Sequence, residues 1–229
     1  MSIPFSVQKL NILFEDNHVI VVDKPVNIAV QADESGDVDL QTMLKDYIAR
    51  EYNKPGNVFL GIVHRLDRPV GGLMVFARTS KGASRLSDSI RRFEMDKIYH
   101  AVVQGKAPDK GTLVHWLVKD AARNMVTAHD KMVKDSKEAV LHYERVAFSE
   151  GLSLLKIDLE TGRPHQIRVQ CKAMGHPIWG DQRYNEDAKV GQQIALRATS
   201  LSFPHPTTKE RLKFNLELPN AQPWGKLKR

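Results

Sequence analysis

The chain has 229 residues, of which 41% are hydrophobic and 27% charged, so its length and composition are those of a folded globular protein and not of a disordered one. A formal charge of +7 favours a polyanionic partner such as nucleic acid, although a charge of this size can also serve solubility alone. The single cysteine, Cys171, excludes an internal disulfide, and no stretch of sequence approaches the roughly 20 apolar residues of a membrane span. We therefore expect a cytoplasmic protein that is neither exported nor inserted into a membrane.

Strand-like segments, several of them alternating apolar with polar residues, dominate the chain. In chain order they are 11–15, 18–23, 58–63, 73–78, 97–104, 113–118, 139–148, 152–159, 194–203 and 211–218. Such alternation suits an antiparallel sheet with one face in water. The polar segment 119–138, which carries several Lys and Arg residues, is predicted to be a long surface connection or a flexible hairpin.

Three amphipathic helices are predicted among the strands. The first follows the possible N-cap Asp39, the second follows Thr79 or Ser80, and the third contains Arg168 on a cationic face. Their apolar faces are formed by Leu40, Met43, Leu44, Tyr47 and Ile48, by Ala83, Leu86, Ile90 and Phe93, and by Ile167, Cys171 and Met174. Because these helices are too few and too irregularly placed for a repeating strand-helix-strand array, the predicted class is α+β with a mixed, largely antiparallel sheet.

The segment 61–76 places Asp67 in a turn rich in Pro and Gly between two strand-like runs. Arg65 and Arg68 flank the carboxylate, and nearby positive charge favours the ionised form, which can serve as a nucleophile or a base. Taken alone, such an aspartate more often only caps a turn or pairs with an arginine. A second polar cluster, 159–168, favours a functional interpretation because its Gly-containing turn opens the third helix, where phosphate or carboxylate can bind. The two clusters could meet in a cleft.

Several runs, in this order, resemble the RluA-type pseudouridine synthases. They are His64-Arg-Leu-Asp67, Lys97-Ile-Tyr99 before Gly105, Thr161-Gly-Arg-Pro-His-Gln-Ile-Arg168 and Gly175-His-Pro-Ile-Trp-Gly-Asp181. The family's outer signatures are matched by Val22-Asp-Lys24-Pro25 and by Ala195-Leu-Arg-Ala-Thr-Ser-Leu-Ser-Phe-Pro-His205-Pro206, so the resemblance covers nearly the whole chain.

This resemblance implies an RNA-modifying isomerase that needs neither a cofactor nor a metal. Asp67 would be the nucleophile, Arg168 would pair with it, and Tyr99 would stack against the uracil and help to remove a ring proton. Leu196 would pack near the base, and Arg65 would fill the space that the extruded nucleotide leaves. The other expected substrate-binding residues are His64, Arg163, His165 and Gln166.

The resemblance also implies a single catalytic domain over residues 1–229, built in two lobes with flanking helices and an active cleft between them, without a separate N-terminal RNA-binding domain. We expect a monomer whose partner is RNA, either ribosomal or transfer RNA. RNA contacts are expected from the catalytic domain itself. The candidates are the helix face with Arg85, Arg91 and Arg92, the connection 119–138 and the tail 226–229.

Two departures from the family pattern concern backbone geometry. Val70-Gly71-Gly72 stands where Thr-Ser-Gly is usual, which removes two hydroxyls from the catalytic loop, and Asn27 replaces a glycine but tolerates a left-handed backbone.

Two other functions are kept as alternatives. One is a non-catalytic RNA-binding relative of the enzyme, which the altered loop at Val70 makes credible. The other is a metal-dependent phosphodiesterase, because several residues are of types that bind catalytic metals, although their spacing matches no compact ligand pattern. These residues are His64, Asp67, His165, His176 and Asp181.

Overall fold

The computed structural model describes residues 10–227, within which three α-helices and eleven β-strands form the α+β fold that the sequence predicts. The helices are α1 (Leu40–Glu51), α2 (Ser80–Arg91) and α3 (Gln166–Ala173), and a short 3-10 helix spans Trp224–Lys226. The strands are β1 (Asn11–Glu15), β2 (Val19–Lys24), β3 (Gly61–Ile62), β4 (Gly71–Ala77), β5 (Asp96–Gln104), β6 (Lys110–Asp120), β7 (Met125–His129), β8 (Lys137–Ser149), β9 (Leu152–Leu159), β10 (Leu196–Pro204) and β11 (Arg211–Asn215). Two residues of the predicted basic tail, 228 and 229, lie outside the described range.

The chain divides into two compact units. The first comprises Met1–Met95 and Leu201–Leu216, and the second comprises Asp96–Ser200 and Glu217–Arg229. In residues 10–227, no helix is both long enough and apolar enough to cross a membrane.

In the first unit, the central strand β2 has antiparallel neighbours on both sides, β1 and β4. This position explains its continuous apolar run, since the first four residues of β2 are fully buried. The core continues through β4, Leu86 of α2 and Phe203. Both predicted N-caps are confirmed, because Asp39 accepts a hydrogen bond from Thr42 N at 3.0 Å and Thr79 accepts one from Gly82 N at 3.0 Å.

In the second unit, long antiparallel pairs join β5 to β9, β9 to β8, β8 to β6 and β6 to β7. The strand β7 lies in the segment 119–138 and pairs with the end of β6 from Trp116 to Asp120, so part of this segment forms a hairpin, as one of the two predicted alternatives has it. The helix α3 packs through Val169 against Leu117 of β6, Val126 of β7 and the ring of Tyr184.

Some predicted elements are longer than the observed ones. The predicted strand 58–63 reduces to β3, and the strand predicted over 211–218 ends at Asn215. The second helix ends at Arg91, so Phe93 does not continue its apolar face. Instead, Phe93 has a φ of 57° and is 66% exposed. The chain leaves the helix here because Glu94 N donates to Ser89 O at 2.9 Å, a bond that closes the last turn.

The cationic face predicted for the third helix is also partly wrong. Arg168 is only 5% exposed, because it points into the second unit and is paired with the buried carboxylate of Asp181. Its positive charge is therefore compensated inside the protein and does not form part of a solvent-exposed basic face.

Candidate active site

Asp67 begins a tight turn in the loop between β3 and β4. The N–H of Val70 donates to the carbonyl oxygen of Asp67 at 3.0 Å, which closes the turn. Leu66 and Val70 are 7% and 2% exposed and anchor the two ends of the turn, whereas Asp67 is half-buried. Val70 thus supplies apolar packing at a place where the family pattern has a hydroxyl residue. The turn presents one carboxylate from a well-anchored backbone.

His64 lies at the start of the same loop, and its Nε2 accepts a hydrogen bond from Val75 N at 3.1 Å. This bond ties the loop to β4. The predicted contact of His64 with the substrate stays a prediction. Asn27, in the loop after β2, has a φ of 64°, which confirms the predicted left-handed backbone at that position.

Lys24 at the end of β2 is a functional candidate that the sequence reasoning missed. Its side chain is fully buried, and its ammonium donates to the carbonyl oxygens of Pro25 at 2.9 Å, Ile28 at 2.6 Å and Arg68 at 3.1 Å. Three acceptors match the three donors of an ammonium group. Burial lowers the pKa of Lys24 to about 7, although the negative charge of Asp67 acts in the opposite direction.

The ammonium of Lys24 therefore braces the Asp67 turn and supplies a positive charge near the carboxylate. One sequence signal could have indicated it. Lys24 follows the apolar run of a strand that is buried on both faces, where a lysine must find internal acceptors.

The two arginines that flank Asp67 in sequence have different surroundings. The guanidinium of Arg68 binds Asp37 at 2.9 Å, Asp33 at 3.3 Å and the hydroxyl of Ser35 at 2.6 Å. Its charge is thus largely compensated by the acidic loop 33–37, and the predicted influence of Arg68 on Asp67 stays a prediction. Arg65 is exposed, and its predicted role in filling the space of an extruded base stays a prediction.

Arg168 on α3 is held in a fixed orientation by Asp181. Its Nε and Nη2 donate to the two carboxylate oxygens of Asp181 at 2.8 and 2.7 Å, and its guanidinium carbon lies 5.2 Å from the centre of the Tyr184 ring. Both side chains of the pair are buried. A two-bonded arginine-carboxylate pair fixes the plane of the guanidinium as well as its position.

The turn before α3 is held by internal hydrogen bonds. Gln166 is buried, accepts from Thr161 Oγ1 at 2.8 Å and Arg163 N at 2.9 Å, and donates to Val140 O at 3.0 Å. Three such bonds give Gln166 a structural task beside its predicted substrate contact. The Nε of Arg163 donates to the carbonyl oxygen of Glu138 at 2.9 Å.

His165 precedes α3 with a left-handed backbone, φ 53°, and its Nδ1 lies 2.8 Å from the hydroxyl of Tyr184. The same hydroxyl accepts from Val126 N at 2.9 Å, which joins the helix start to β7. The ring of Tyr184 thus contacts both His165 and Arg168. The substrate contacts predicted for Arg163, His165 and Gln166 stay predictions.

Tyr99 and Leu196 belong to the second unit, as Arg168 does. Tyr99 lies on β5 opposite Ile157 and is 6% exposed, and Leu196 is the first residue of β10 and is 5% exposed. Near these two residues, Thr199 Oγ1 donates to the carbonyl oxygen of Ile98 at 3.2 Å, which joins the two strands. The predicted stacking of Tyr99 and packing of Leu196 against a uracil stay predictions.

The residues proposed as metal ligands are engaged elsewhere or dispersed. Asp181 binds Arg168, and His176 Nδ1 lies 2.7 Å from the carbonyl oxygen of Gln104. Over the described range 10–227, no three His, Cys, Asp or Glu residues are grouped closely enough to hold a metal ion.

Cys171 is buried, and desolvation raises the pKa of its thiol to about 12, so it is a poor nucleophile at neutral pH.

A family model described as RNA pseudouridylate synthase matches residues 18–173, a segment that contains Lys24, Asp67, Tyr99 and Arg168. The chain belongs to this family. The resemblance to the RluA-type enzymes is thereby confirmed, and the enzyme class is that of the RNA pseudouridine synthases, which are isomerases.

The relatives agree with this assignment. The chain is 34% identical over 206 residues to an uncharacterized RNA pseudouridine synthase of Bacillus subtilis, and the match covers 88% of this chain and 66% of that protein. It is 32% identical over 223 residues to a ribosomal large subunit pseudouridine synthase D of Zymomonas mobilis, with 92% of this chain and 69% of the relative covered. The chain thus spans about two thirds of the length of these relatives.

Among solved structures, the chain is similar to human RNA Pseudouridylate Synthase Domain Containing 1. The TM-score is 0.76 at 22% sequence identity, and the match covers 96% of this chain and 88% of the human one. This likeness confirms the fold.

Proposed function

We propose that this protein isomerises uridine to pseudouridine in RNA, with Asp67 as the catalytic carboxylate. The observation that carries the proposal is the setting of Asp67. It lies within the segment that matches the family, in a closed turn whose ends are buried, near a fully buried ammonium group. A carboxylate on an anchored turn can be held at the attacking distance that a nucleophile requires.

In the proposed reaction, the bond between N1 of the uracil and C1′ of the ribose breaks, and the base turns within the site. A bond between C5 and C1′ then forms, C5 loses its proton and N1 gains one, so the reaction needs no redox partner or external energy. Asp67 either attacks the sugar or stabilises a glycal-like intermediate. Tyr99 and Arg168 are proposed to complete the catalytic set, with Tyr99 against the uracil ring and near its C5 proton.

The proposed substrate is ribosomal RNA, with transfer RNA as the alternative. The name of the Zymomonas mobilis relative, ribosomal large subunit pseudouridine synthase D, supports the first choice. Mapping pseudouridine across total RNA from cells with and without the gene would identify the modified positions. Sites that disappear from the large ribosomal RNA would support the proposal, and sites that disappear only from transfer RNA would favour the alternative.

The role of Asp67 is tested by measuring tritium release from RNA labelled at C5 of uracil. Asp67→Asn should lower release by at least about a thousandfold while RNA affinity stays within about threefold of the wild type. Asp187→Asn, which changes an exposed aspartate of the second unit, is the matched control and should release tritium at the wild-type rate.

Two outcomes would contradict the proposal. Equal release by Asp67→Asn would remove the catalytic role of this carboxylate. A wild-type protein that binds RNA without releasing tritium would be a non-catalytic relative. The reaction should also be insensitive to EDTA, since a metal-dependent phosphodiesterase would lose its activity to the chelator.

A further inference from the structure

Phe93 occupies a position that neither packing nor backbone energetics favours. It follows α2 with a φ of 57°, a left-handed conformation that usually selects glycine at the end of a helix. Across the described range 10–227, every other non-glycine residue with positive φ is polar. The ring is nevertheless 66% exposed, so core packing does not explain why an aromatic residue stands here. A strained and exposed side chain is a candidate for binding.

The backbone that carries Phe93 is well anchored. The N–H of Phe93 donates to Ile90 O at 3.2 Å, and that of Glu94 donates to Ser89 O at 2.9 Å. Arg211 of β11 anchors the residue that follows Phe93, since its Nη1 donates to the carbonyl oxygen of Glu94 at 2.9 Å. The ring is therefore presented to solvent from a fixed base, which limits the entropy that a ligand must remove.

Two exposed arginines precede the ring in sequence. The side chains of Arg91 and Arg92 are 76% and 67% exposed, and each forms an ion pair with Asp88, at 2.8 and 3.1 Å. Both guanidinium groups remain largely exposed next to the aromatic ring, although the carboxylates of Asp88 and Glu94 balance their charge. Single-stranded nucleic acid is bound by this combination, in which bases stack on aromatic rings and cations contact phosphates. An apolar protein partner is disfavoured at this surface, because it would have to remove water from both arginines.

We propose that Phe93, Arg91 and Arg92 form an accessory site that stacks an unpaired nucleobase of the RNA on the Phe93 ring. The inference rests on the proposed function, since that function makes RNA the ligand, but it assigns a base contact to the end of α2. The ring recognises the face of a base and the arginines recognise the backbone, so the site tolerates different sequences.

Phe93→Gly is an informative variant because its two expected effects have opposite signs. Glycine adopts the left-handed backbone without strain, so the midpoint of thermal unfolding should rise by about 2–4 °C. The affinity for a fluorescein-labelled oligouridine about 15 nucleotides long should fall by roughly tenfold. Phe93→Trp should keep the wild-type affinity, since indole also stacks on a base. Asn53→Gly, which relieves a left-handed residue after α1, is the matched control and should leave the affinity unchanged.

Inorganic polyphosphate, which has charge but no bases, separates stacking from electrostatics. Phe93→Gly should bind polyphosphate as the wild type does, whereas Arg91→Ala/Arg92→Ala should bind both probes more weakly. The proposal is overturned if Phe93→Gly binds oligouridine normally or loses the same factor for both probes. A wild-type dimer that Phe93→Gly dissociates in sedimentation velocity would also overturn it, by making the ring a protein contact.

Failure of the proposed function would have a different signature. If the wild type releases no tritium but Phe93→Gly lowers its affinity for oligouridine, the base site is supported and the proposed enzymatic function fails. If the wild type releases tritium but Phe93→Gly leaves its affinity for oligouridine unchanged, the enzymatic function is supported and the base site fails.

Discussion

Arg168 and Asp181 form a buried pair in which two guanidinium nitrogens meet the two oxygens of one carboxylate, at 2.8 and 2.7 Å. Asp181 therefore positions the arginine that the family resemblance assigns to catalysis. The ring of Tyr184 adds a further contact to the same guanidinium. The pair thus joins the ends of two of the sequence runs that carry the family resemblance.

Asp181→Asn should destabilise the protein by about 3–5 kcal/mol, because a buried guanidinium would lose its counter-charge. It should also lower the rate of tritium release, since the guanidinium plane would no longer be fixed. Unfolding in urea measures the first effect. Asp187→Asn, an exposed change six residues later, should stay within about 0.5 kcal/mol of the wild type. An unchanged urea midpoint for Asp181→Asn would show that the pair adds nothing to stability.

Lys24→Met should destabilise the protein by about 2–4 kcal/mol, because three carbonyl oxygens would lose their buried donor. The turn that contains Asp67 would lose its brace, so kcat should fall more than KM rises. Lys81→Met, which changes an exposed lysine of the same unit, controls for the loss of a positive charge. A Lys24→Met enzyme with normal kcat would limit Lys24 to a purely structural role.

The stability of the wild type relative to Lys24→Met should depend on pH. The folded pKa of Lys24 is lowered to about 7, so below that value the lysine is protonated in both the folded and the unfolded chain. Between about pH 7 and pH 10 the unfolded chain keeps the proton that the folded chain has released, so rising pH favours folding. The difference in unfolding free energy should rise by up to about 1.4 kcal/mol per pH unit in this range. Urea unfolding from about pH 6.5 to 9 measures it, and a flat difference would contradict a lowered pKa.

Tyr99→Phe tests whether the phenol hydroxyl takes part in proton removal from C5. The ring and its burial on β5 are kept, so RNA affinity should stay within about threefold, whereas tritium release should slow by roughly a hundredfold. Tyr143→Phe removes a hydroxyl from another buried tyrosine of the second unit and should leave release unchanged. Normal release by Tyr99→Phe would leave the tyrosine a stacking role only.

The features that the sequence predicted well depend on neighbouring residues. The caps Asp39 and Thr79 each bind an N–H three residues later, and the left-handed Asn27 reflects the intrinsic tolerance of that side chain. The strand β9 was predicted with its observed ends because its residues alternate between buried and exposed positions over its second half.

The features that the sequence did not predict depend on distant partners. Lys24 joins carbonyl groups whose residues are up to 44 positions away, and the local pattern indicates only that a lysine is buried there, not which acceptors it binds. The spacing of Arg168 on α3 predicts an exposed cationic face, whereas the buried carboxylate of Asp181 holds this arginine in the interior. Phe93 continues the apolar spacing of α2, and no glycine or proline marks the last turn. The sequence therefore predicts a longer helix than the observed one, which ends at Arg91.

The sole thiol of the sequence, Cys171, is 1% exposed and stays protonated at neutral pH because burial raises its pKa to about 12. Maleimide reagents, which attack thiolates, should therefore leave the native protein unmodified. A cysteine introduced on the surface would then be the single labelling site, and Cys171 would not have to be replaced first. A fluorophore or spin label at such a position could then report on RNA docking in an otherwise unaltered chain.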